Sequence, residues 1–179
     1  KNQTSAYTYL PPELDVSSAF SLAACAVVGG SVEIENWNSK SLQPDIYFLE
    51  IFEKMKIKFE TNENKFSIFQ QKQFQGIEVN LSNAPDLFPV LSVLCALANG
   101  PSHLYGATQL VHKESNRLKK TEELLQLAGY KADIEGSALK IWGLPQHIDF
   151  EKRIDFDCDQ DHRMAMAAAL LKLKGHNIH

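Results

Sequence analysis

Stretches that alternate apolar and polar residues are interleaved along the chain with longer stretches that are apolar almost throughout. The first kind reads as strand and the second as helix buried on most sides. Ala6–Leu10 is strand-like, Asp15-Val-Ser-Ser opens a helix that runs to Val28, and Ser31–Trp37 alternates as a strand. A second helix is expected from Pro44 to Met55, where Ile46, Leu49, Phe52 and Glu53 fall at helical spacing. Two strands follow, Ile57–Glu60 and Lys65–Phe69, about a turn at Asn62-Glu-Asn. The order is βαβαββ, and it recurs. Gly76–Leu81 reads as strand, Asp86 to Ala98 as helix, Ser102–Gly106 as strand, and Ser115 to Ala128 as a helix closing on Gly129. Tyr130–Ile134 and Ala138–Trp142 then form strands about Glu135-Gly-Ser. A third round begins with a strand at Arg153–Asp157 and a helix from Asp161 to Leu173, and stops in the strand after it.

The recurrence is measurable. The segments Val16–Gly30, Leu87–Gly100 and His162–Gly175 are Ala/Leu-rich helices that close on glycine and lead into a strand. Their closing glycines, Gly30, Gly100 and Gly175, are 70 and 75 residues apart, and the aspartates before them, Asp15, Asp86 and Asp161, are 71 and 75 apart. Repeat units of this length decide architecture before any single motif does. They are placed at about 1–73, 74–144 and 145–179, the last one broken off. Strands alternating with helices and closed by a hairpin predict an α/β (α+β) fold of mixed sheets with helices packed on them. Leu91, Val93, Leu94, Leu97 and Ala98 leave the second of the apolar helices almost no polar face. Such helices fit inside a ring of sheets, an inside-out barrel-like domain.

Composition narrows the function without naming it. At 179 residues, 44% hydrophobic and 22% charged, the chain is of globular type and long enough to bury a sizeable core. Lys and Arg number 18 against 22 Asp and Glu, so no basic surplus exists to neutralise a phosphate backbone, and nucleic acid is not expected as a partner. Apolar runs such as Leu22 to Val28 fall well short of the ~18 residues that cross a bilayer, so no membrane span is expected. The chain starts at Lys1 without a signal-like region, which suggests a cut inside a longer protein. Cys25, Cys95 and Cys158 are odd in number and form no C-x-x-C pair, and Cys25 and Cys95 sit in Ala/Leu/Val-rich stretches, which reads as buried thiols in a reducing compartment, the cytoplasm.

Candidate chemistry gathers at the helix starts. Helix N-termini favour acids, so cations placed there ask for a reason. His112-Lys113-Glu114-Ser115-Asn116-Arg117 puts Lys113 and Arg117 four apart, on one face if the helix has begun, and Asp161-His162-Arg163 puts an arginine in a first turn after its cap. Amide donors with Lys and Arg suit a strongly anionic ligand; solvated surface cations are the plain alternative. Asp86 reads either as an N-cap after Pro85 or as a carboxylate able to accept a proton from a substrate hydroxyl. If helix starts of one kind gather at one end, Asp86, Lys113, Glu114 and Arg163 converge. Met164 and Met166 read as core, and His103, His147, His176 and His179 as surface or loop residues. Asp155, Asp157, Asp159 and Asp161 read as a strand edge and a helix cap, since the glycine and terminal glutamate of a calcium loop are missing. Gly29-Gly30 reads as a C-cap.

Asp161-His-Arg-Met-Ala-Met-Ala resembles the D-H-R-M-A-M segment of the 5-enolpyruvylshikimate-3-phosphate synthase family, the 3-phosphoshikimate 1-carboxyvinyltransferases. His112-Lys-Glu-Ser-Asn-Arg is similar to its V-K-E-T-D-R segment, Ala84-Pro-Asp to P-D-A, Asp15-Val-Ser-Ser-Ala to D-A-S-S-A, and Asn38-Ser-Lys-Ser-Leu-Gln-Pro-Asp to N-S-x-Q-G-D. The resemblance runs in family order over the whole chain. It implies an enolpyruvyl transferase-like fold of two domains, each of three βαβαββ units, of which residues 1–179 are most of the C-terminal one. It implies transfer of the enolpyruvyl group of phosphoenolpyruvate to the 5-hydroxyl of shikimate 3-phosphate. No metal or organic cofactor is implied, and glyphosate competes at the phosphoenolpyruvate site. The implied partners are those two small molecules and the N-terminal domain of the same protein, the full-length enzyme being a monomer.

By the same resemblance, Asp86 holds the shikimate hydroxyls and takes the proton of the attacking one, and Lys113 binds shikimate 3-phosphate near the reacting oxygen. Glu114 handles the proton of the methylene carbon, Arg117 and Arg163 grip phosphoenolpyruvate, and Gln109 is a shikimate contact. Thr108-Gln-Leu departs from the family's Asn-Trp pair, and Ser115 and Asn116 replace Thr and Asp. The family's N-terminal-domain ligands and its C-terminal lysine have no counterpart, so the chain alone is expected not to turn over. Two rival readings remain at this point: a non-catalytic binding or structural module built from the same repeat, and another transferase or a phosphate cyclase of similar units.

Overall fold

The computed structural model describes residues 19–28, 31–35, 41–62, 65–69, 71, 73–145 and 147–179. The strand expected at Ala6–Leu10, the helix opening at Asp15 and the cap at Gly29-Gly30 lie outside these residues. In the first unit, helix α1 (Ala19–Val28) leads to β1 (Ser31–Glu35), and a 3-10 turn (Pro44–Tyr47) runs into α2 (Phe48–Lys54). Strands β2 (Phe59–Thr61) and β3 (Lys65–Phe69) close it. The sheet order is β1-β3-β2, antiparallel throughout, with Ser31 opposite Phe69 and Phe59 opposite Ile68. Phe48, Phe52 and Phe66 are buried and meet edge to face, fixing α2 on the sheet.

The second unit shows the repeat in full. Its elements are β4 (Glu78–Asn80), α3 (Phe88–Ala96) after a 3-10 turn (Pro85–Leu87), β5 (Ser102–Tyr105), a 3-10 turn (Thr108–His112), α4 (Arg117–Leu127), β6 (Ala132–Glu135) and β7 (Ala138–Ile141). The sheet order is β4-β5-β7-β6, with β4 parallel to β5 across α3 and the remaining pairs antiparallel. In the third unit, β8 (Arg153–Ile154) and β9 (Asn177–Ile178) pair in parallel across α5 (His162–Lys174). The β-helix-β crossover of the second unit is thus repeated in the third.

The helices α1, α3 and α5 pack on one another at the centre, as their sequences require. Every residue of α3 from Phe88 to Ala96 is buried. Alanines at positions 23, 26, 96 and 167 are fully covered and let the backbones approach closely. The one hydroxyl inside α3, Ser92, donates to the carbonyl of Phe88 at 2.8 Å and so carries no unmet polar group into the core. Gly175 ends α5 in the left-handed region at φ 118°, where a side chain would be strained, and turns the chain into β9. Met164 is buried in the core and Met166 packs against it. Among the described residues, no helix is long and apolar enough to cross a membrane.

Three expectations need correction. The helices expected from Asp86 and Ser115 begin later, at Phe88 and Arg117. A 3-10 turn leads the first, and Asn116 caps the second by accepting from the Lys119 amide at 3.2 Å. Lys113 therefore stands in extended backbone before the helix, and a shared helical face is not what brings it to Arg117. The strand expected at Arg153–Asp157 is only two residues long, Arg153 and Ile154 pairing with Asn177 and Ile178, and beyond them a single hydrogen bond from the Phe156 amide to the His179 carbonyl at 3.0 Å continues the contact. His176 is no surface residue: it is 2% exposed, beside Tyr130 and Phe150.

Candidate active site

The starts of α3, α4 and α5 meet at one end of the bundle, and the side chains expected to converge do so. Asp86 sits in the 3-10 turn before α3 and caps nothing, since that turn makes no side-chain cap bond. Its carboxylate faces cations from two other elements. Oδ1 lies 3.1 Å from Lys113 Nζ and 2.8 Å from Arg117 Nη1, and Oδ2 lies 3.4 Å from Arg163 Nη2. Arg163 Nη1 also reaches the Asp86 carbonyl at 3.4 Å.

Beneath this cluster lies a link that the sequence did not reveal. Arg117 is 1% exposed, and a guanidinium so buried is tolerated only when its donors are met. Its Nε donates to Asp161 Oδ2 at 2.8 Å, its Nη1 to Asp86, and its Nη2 to Glu114. Asp161 is fully buried and does three things at once. It caps α5 by accepting from the Arg163 amide at 3.0 Å, it holds Arg117, and its Oδ2 accepts from Ser115 Oγ at 2.9 Å. The sequence marked Asp161 as a cap and Ser115 as a neutral replacement. Their joint role depends on contacts across 44 and 46 positions of chain, which no local spacing announces. The only local signal was an aspartate placed to cap a helix that carries an arginine in its first turn.

The electrostatics follow from this wiring. Burial pushes the Asp86 carboxyl up, but the hydrogen bond from Lys113 and the charges of Arg163, Lys113 and Arg117 outweigh it and hold the group below the usual carboxylate range. Burial likewise pushes Asp161 up, and its bonds from Arg117 and Ser115 bring it below that range. Burial disfavours the Arg117 cation, which Asp161, Glu114 and Asp86 more than restore. Among the described residues the cluster joins three basic side chains to three carboxyl groups. Glu114 is 54% exposed and Asp86 30%, so both carboxylates reach solvent while Asp161 does not. Lys and Arg forks beside a surface carboxylate can hold an oxyanion, with the carboxylate placed within reach of a bound hydroxyl.

The other candidates lie elsewhere. Gln109, in the 3-10 turn before Lys113, donates from Nε2 to the Ser82 carbonyl at 3.2 Å. Ser82 also lines a cavity of about 590 Å³ with Tyr47, Glu50, Asn80 and Asn83, and Gln109 is not part of that lining. A second cavity of about 380 Å³, on the face of the second sheet at Glu78, His103 and Lys140, includes none of the candidates. Asp157 accepts from the Asp159 amide at 2.9 Å, Asp155 pairs with Arg153, and Asp159 lies 3.5 Å from Lys120, so each has a protein partner. No group of three or more His, Cys, Asp or Glu among the described residues is arranged to hold a metal ion. Cys25 and Cys95 are buried thiols, and burial pushes Cys95 up to about 12.

Comparison with known proteins covers nearly the whole chain. Residues 7–177 match the family model of EPSP synthase (3-phosphoshikimate 1-carboxyvinyltransferase). The 3-phosphoshikimate 1-carboxyvinyltransferase of Methanobrevibacter smithii is 36% identical over 168 residues, covering 93% of this chain and 36% of that protein. That of Methanosphaerula palustris is 34% identical over 162 residues, covering 90% and 37%. The chain thus spans little more than a third of the length of these curated relatives. In three dimensions it resembles the EPSP synthase of Acinetobacter baumannii, with a TM-score of 0.68 at 22% identity over 91% of this chain and 39% of that one. It resembles an enolpyruvyl transferase of Streptomyces tendae equally, with a TM-score of 0.68 at 15% identity over 93% and 38%. The fold is therefore the enolpyruvyl transferase fold, and the match over residues 7–177 establishes that the chain belongs to the EPSP synthase family.

Proposed function

We propose that this chain supplies part of the active site for transfer of the enolpyruvyl (1-carboxyvinyl) group from phosphoenolpyruvate to the 5-hydroxyl of shikimate 3-phosphate. The reaction belongs to the shikimate pathway toward chorismate and aromatic amino acids, in the cytoplasm. The observation that carries the reading is the meeting of Asp86, Lys113, Glu114, Arg117 and Arg163 at one end of the bundle, in a chain of this family. A scaffold has no need of three cations around a partly exposed carboxylate.

In this mechanism Asp86 accepts the proton of the 5-hydroxyl as its oxygen bonds to C2 of phosphoenolpyruvate. Glu114 delivers a proton to the methylene carbon, giving a tetrahedral adduct. The adduct collapses as the bond from C2 to the phosphate oxygen breaks, the leaving phosphate takes the proton held by Asp86, and the methyl group returns a proton to Glu114. Lys113 steadies the shikimate 3-phosphate oxygen that reacts, Gln109 is a further shikimate contact, and Arg117 and Arg163 hold anionic groups of phosphoenolpyruvate. In this reading residues 1–179 are a partial C-terminal domain, and the rest of the site comes from the other domain of a protein as long as the curated relatives.

The test is a phosphate-release assay dependent on shikimate 3-phosphate. Asp86→Ala in the full-length protein is expected to lower turnover by about 10²–10⁴-fold, the usual worth of a positioned base, with the fold intact. Surviving activity would remove Asp86 from the role. The 179-residue chain alone is expected to release no phosphate, and normal turnover by it would refute the division of the site.

A further inference from the structure

The cations assigned to substrate are already engaged, and the manner of their engagement separates two kinds of carboxylate. Asp161 is fully buried, caps a helix, and is held by Ser115 and by Arg117 Nε; it cannot leave without opening the core. Asp86 faces Lys113 Nζ, Arg117 Nη1 and Arg163 Nη2 from a short 3-10 turn, makes no cap bond, and is 30% exposed. Lys113 is also 30% exposed, on extended backbone outside the helix. One carboxylate is locked and the other exchangeable.

We propose that Asp86 is the resident anion of the substrate site: its carboxylate holds the place of an incoming small oxyanion on Lys113, Arg117 and Arg163, and yields it when the ligand binds. The inference rests on the reading of this cluster as a substrate site. It adds that the same residue guards the cations in the empty protein and is released as a base only in the loaded one. Physical chemistry gives the exchange its direction. A carboxylate in contact with three cations is a poor proton acceptor, because they stabilise its charged form. An entering phosphate or carboxylate takes over those cations and brings its own negative charge close to Asp86, and both changes raise the basicity of Asp86. Proton abstraction is thereby tied to occupancy of the anion site. Glu114, which is more exposed and shares Arg117 through Nη2, is a weaker second occupant.

The experiment is equilibrium binding of inorganic phosphate, and separately of acetate, to the intact protein at pH 7 and fixed low salt. Removing a resident anion should tighten binding of the newcomer. Asp86→Asn is expected to bind at least one of the two probes about tenfold more tightly than wild type, and the probe that gains tells whether phosphate or carboxylate is the natural group. Glu114→Gln is expected to gain about twofold, and it keeps the test open if Asp86→Asn folds poorly. Asp161→Asn is expected to melt earlier without gaining affinity. Asp133→Asn, on the exposed outer face of the second sheet, controls for net charge and is expected to change nothing. Unchanged or weaker binding by folded Asp86→Asn and by Glu114→Gln overturns the proposal, as does an equal gain in Asp133→Asn. No arm measures turnover, so this outcome and that of the enolpyruvyl assay are independent.

Discussion

Helices α4 and α5 begin in one chemistry and end in another. At their starts, Arg117 and Asp161 bury full charges, and each charged edge finds a partner. Just beyond their ends, Tyr130 and His176 bury a neutral pair, with the Tyr130 hydroxyl 3.0 Å from His176 Nε2. There the other ring nitrogen, Nδ1, is buried with no partner. A helix C-terminus favours a cation by about 0.3–2 kcal/mol, yet burial dominates and holds His176 below its ordinary value, in the neutral form. The contrast teaches a rule of tolerance. Buried charge persists here where a network completes it, and an incomplete polar group persists where it can stay uncharged.

The largest effect should come from breaking the completed end. Arg117→Met removes the cation and leaves Asp161 buried with Ser115 and a backbone amide as its remaining donors. Stripping one partner from a buried pair costs about 3–5 kcal/mol, which urea unfolding at pH 7 would register as a large drop in midpoint. Adding Asp161→Asn should recover part of the loss, since the stranded charge is then gone. A loss under about 1 kcal/mol would mean that the pair does not lock the helix starts together.

A smaller effect is expected at the other end. Tyr130→Phe strands His176 Nε2 as well as Nδ1, and an unmet buried polar group costs about 1–3 kcal/mol. The two ends should also separate by pH. Because the folded-state value of His176 is lowered, the folded protein binds fewer protons than the unfolded chain just below pH ~6.5. Stability is then full above that pH and falls as pH drops toward the folded value. Asp86 and Asp161 are also lowered, so their contribution is present above pH ~4 and is lost only as pH falls through their folded values. Of the two ends, the histidine one should therefore be what unfolding curves between pH 7.5 and 5 report, and His176→Gln should make them flatter. A slope that persists in that variant assigns the titration elsewhere.

The same contrast explains what the sequence could tell. The repeat, the enclosed helices and the residues Asp86, Lys113, Glu114 and Arg163 were legible because each rests on local signals: an apolar run, a cap before it, a cation where an acid is usual. The starts of α3 and α4 were misplaced by about two residues, because Pro85 and Asn116 shape the lead-in to each helix. The wiring beneath the site was not legible at all. Ser115 meets Asp161 and Tyr130 meets His176, both across 46 positions, and burial decides their meaning. His176 read as a surface or loop residue because the histidines share no ligand spacing, but the left-handed turn at Gly175 carries it inward beside Phe150.

The smallest effect should fall within the charged end itself, and it tests whether that end has a rim as well as a lock. Lys113 and Asp86 lie 3.1 Å apart, but each is 30% exposed, so water and salt screen their attraction and the lysine gives up rotamer freedom to make it. Pairs of this kind are worth about 0–1 kcal/mol. Lys113→Ala should therefore shift the unfolding midpoint little at low salt and less still in 0.5 M salt, where the screening length is only a few ångströms. Asp86 keeps Arg117 Nη1 at 2.8 Å and Arg163 Nη2 at 3.4 Å, so its carboxylate is not stranded by the change. A loss above about 2 kcal/mol would place Lys113 in the lock with Arg117 and Asp161. A loss near zero leaves it at the rim, where a cation must be if it is to change partners when a ligand arrives.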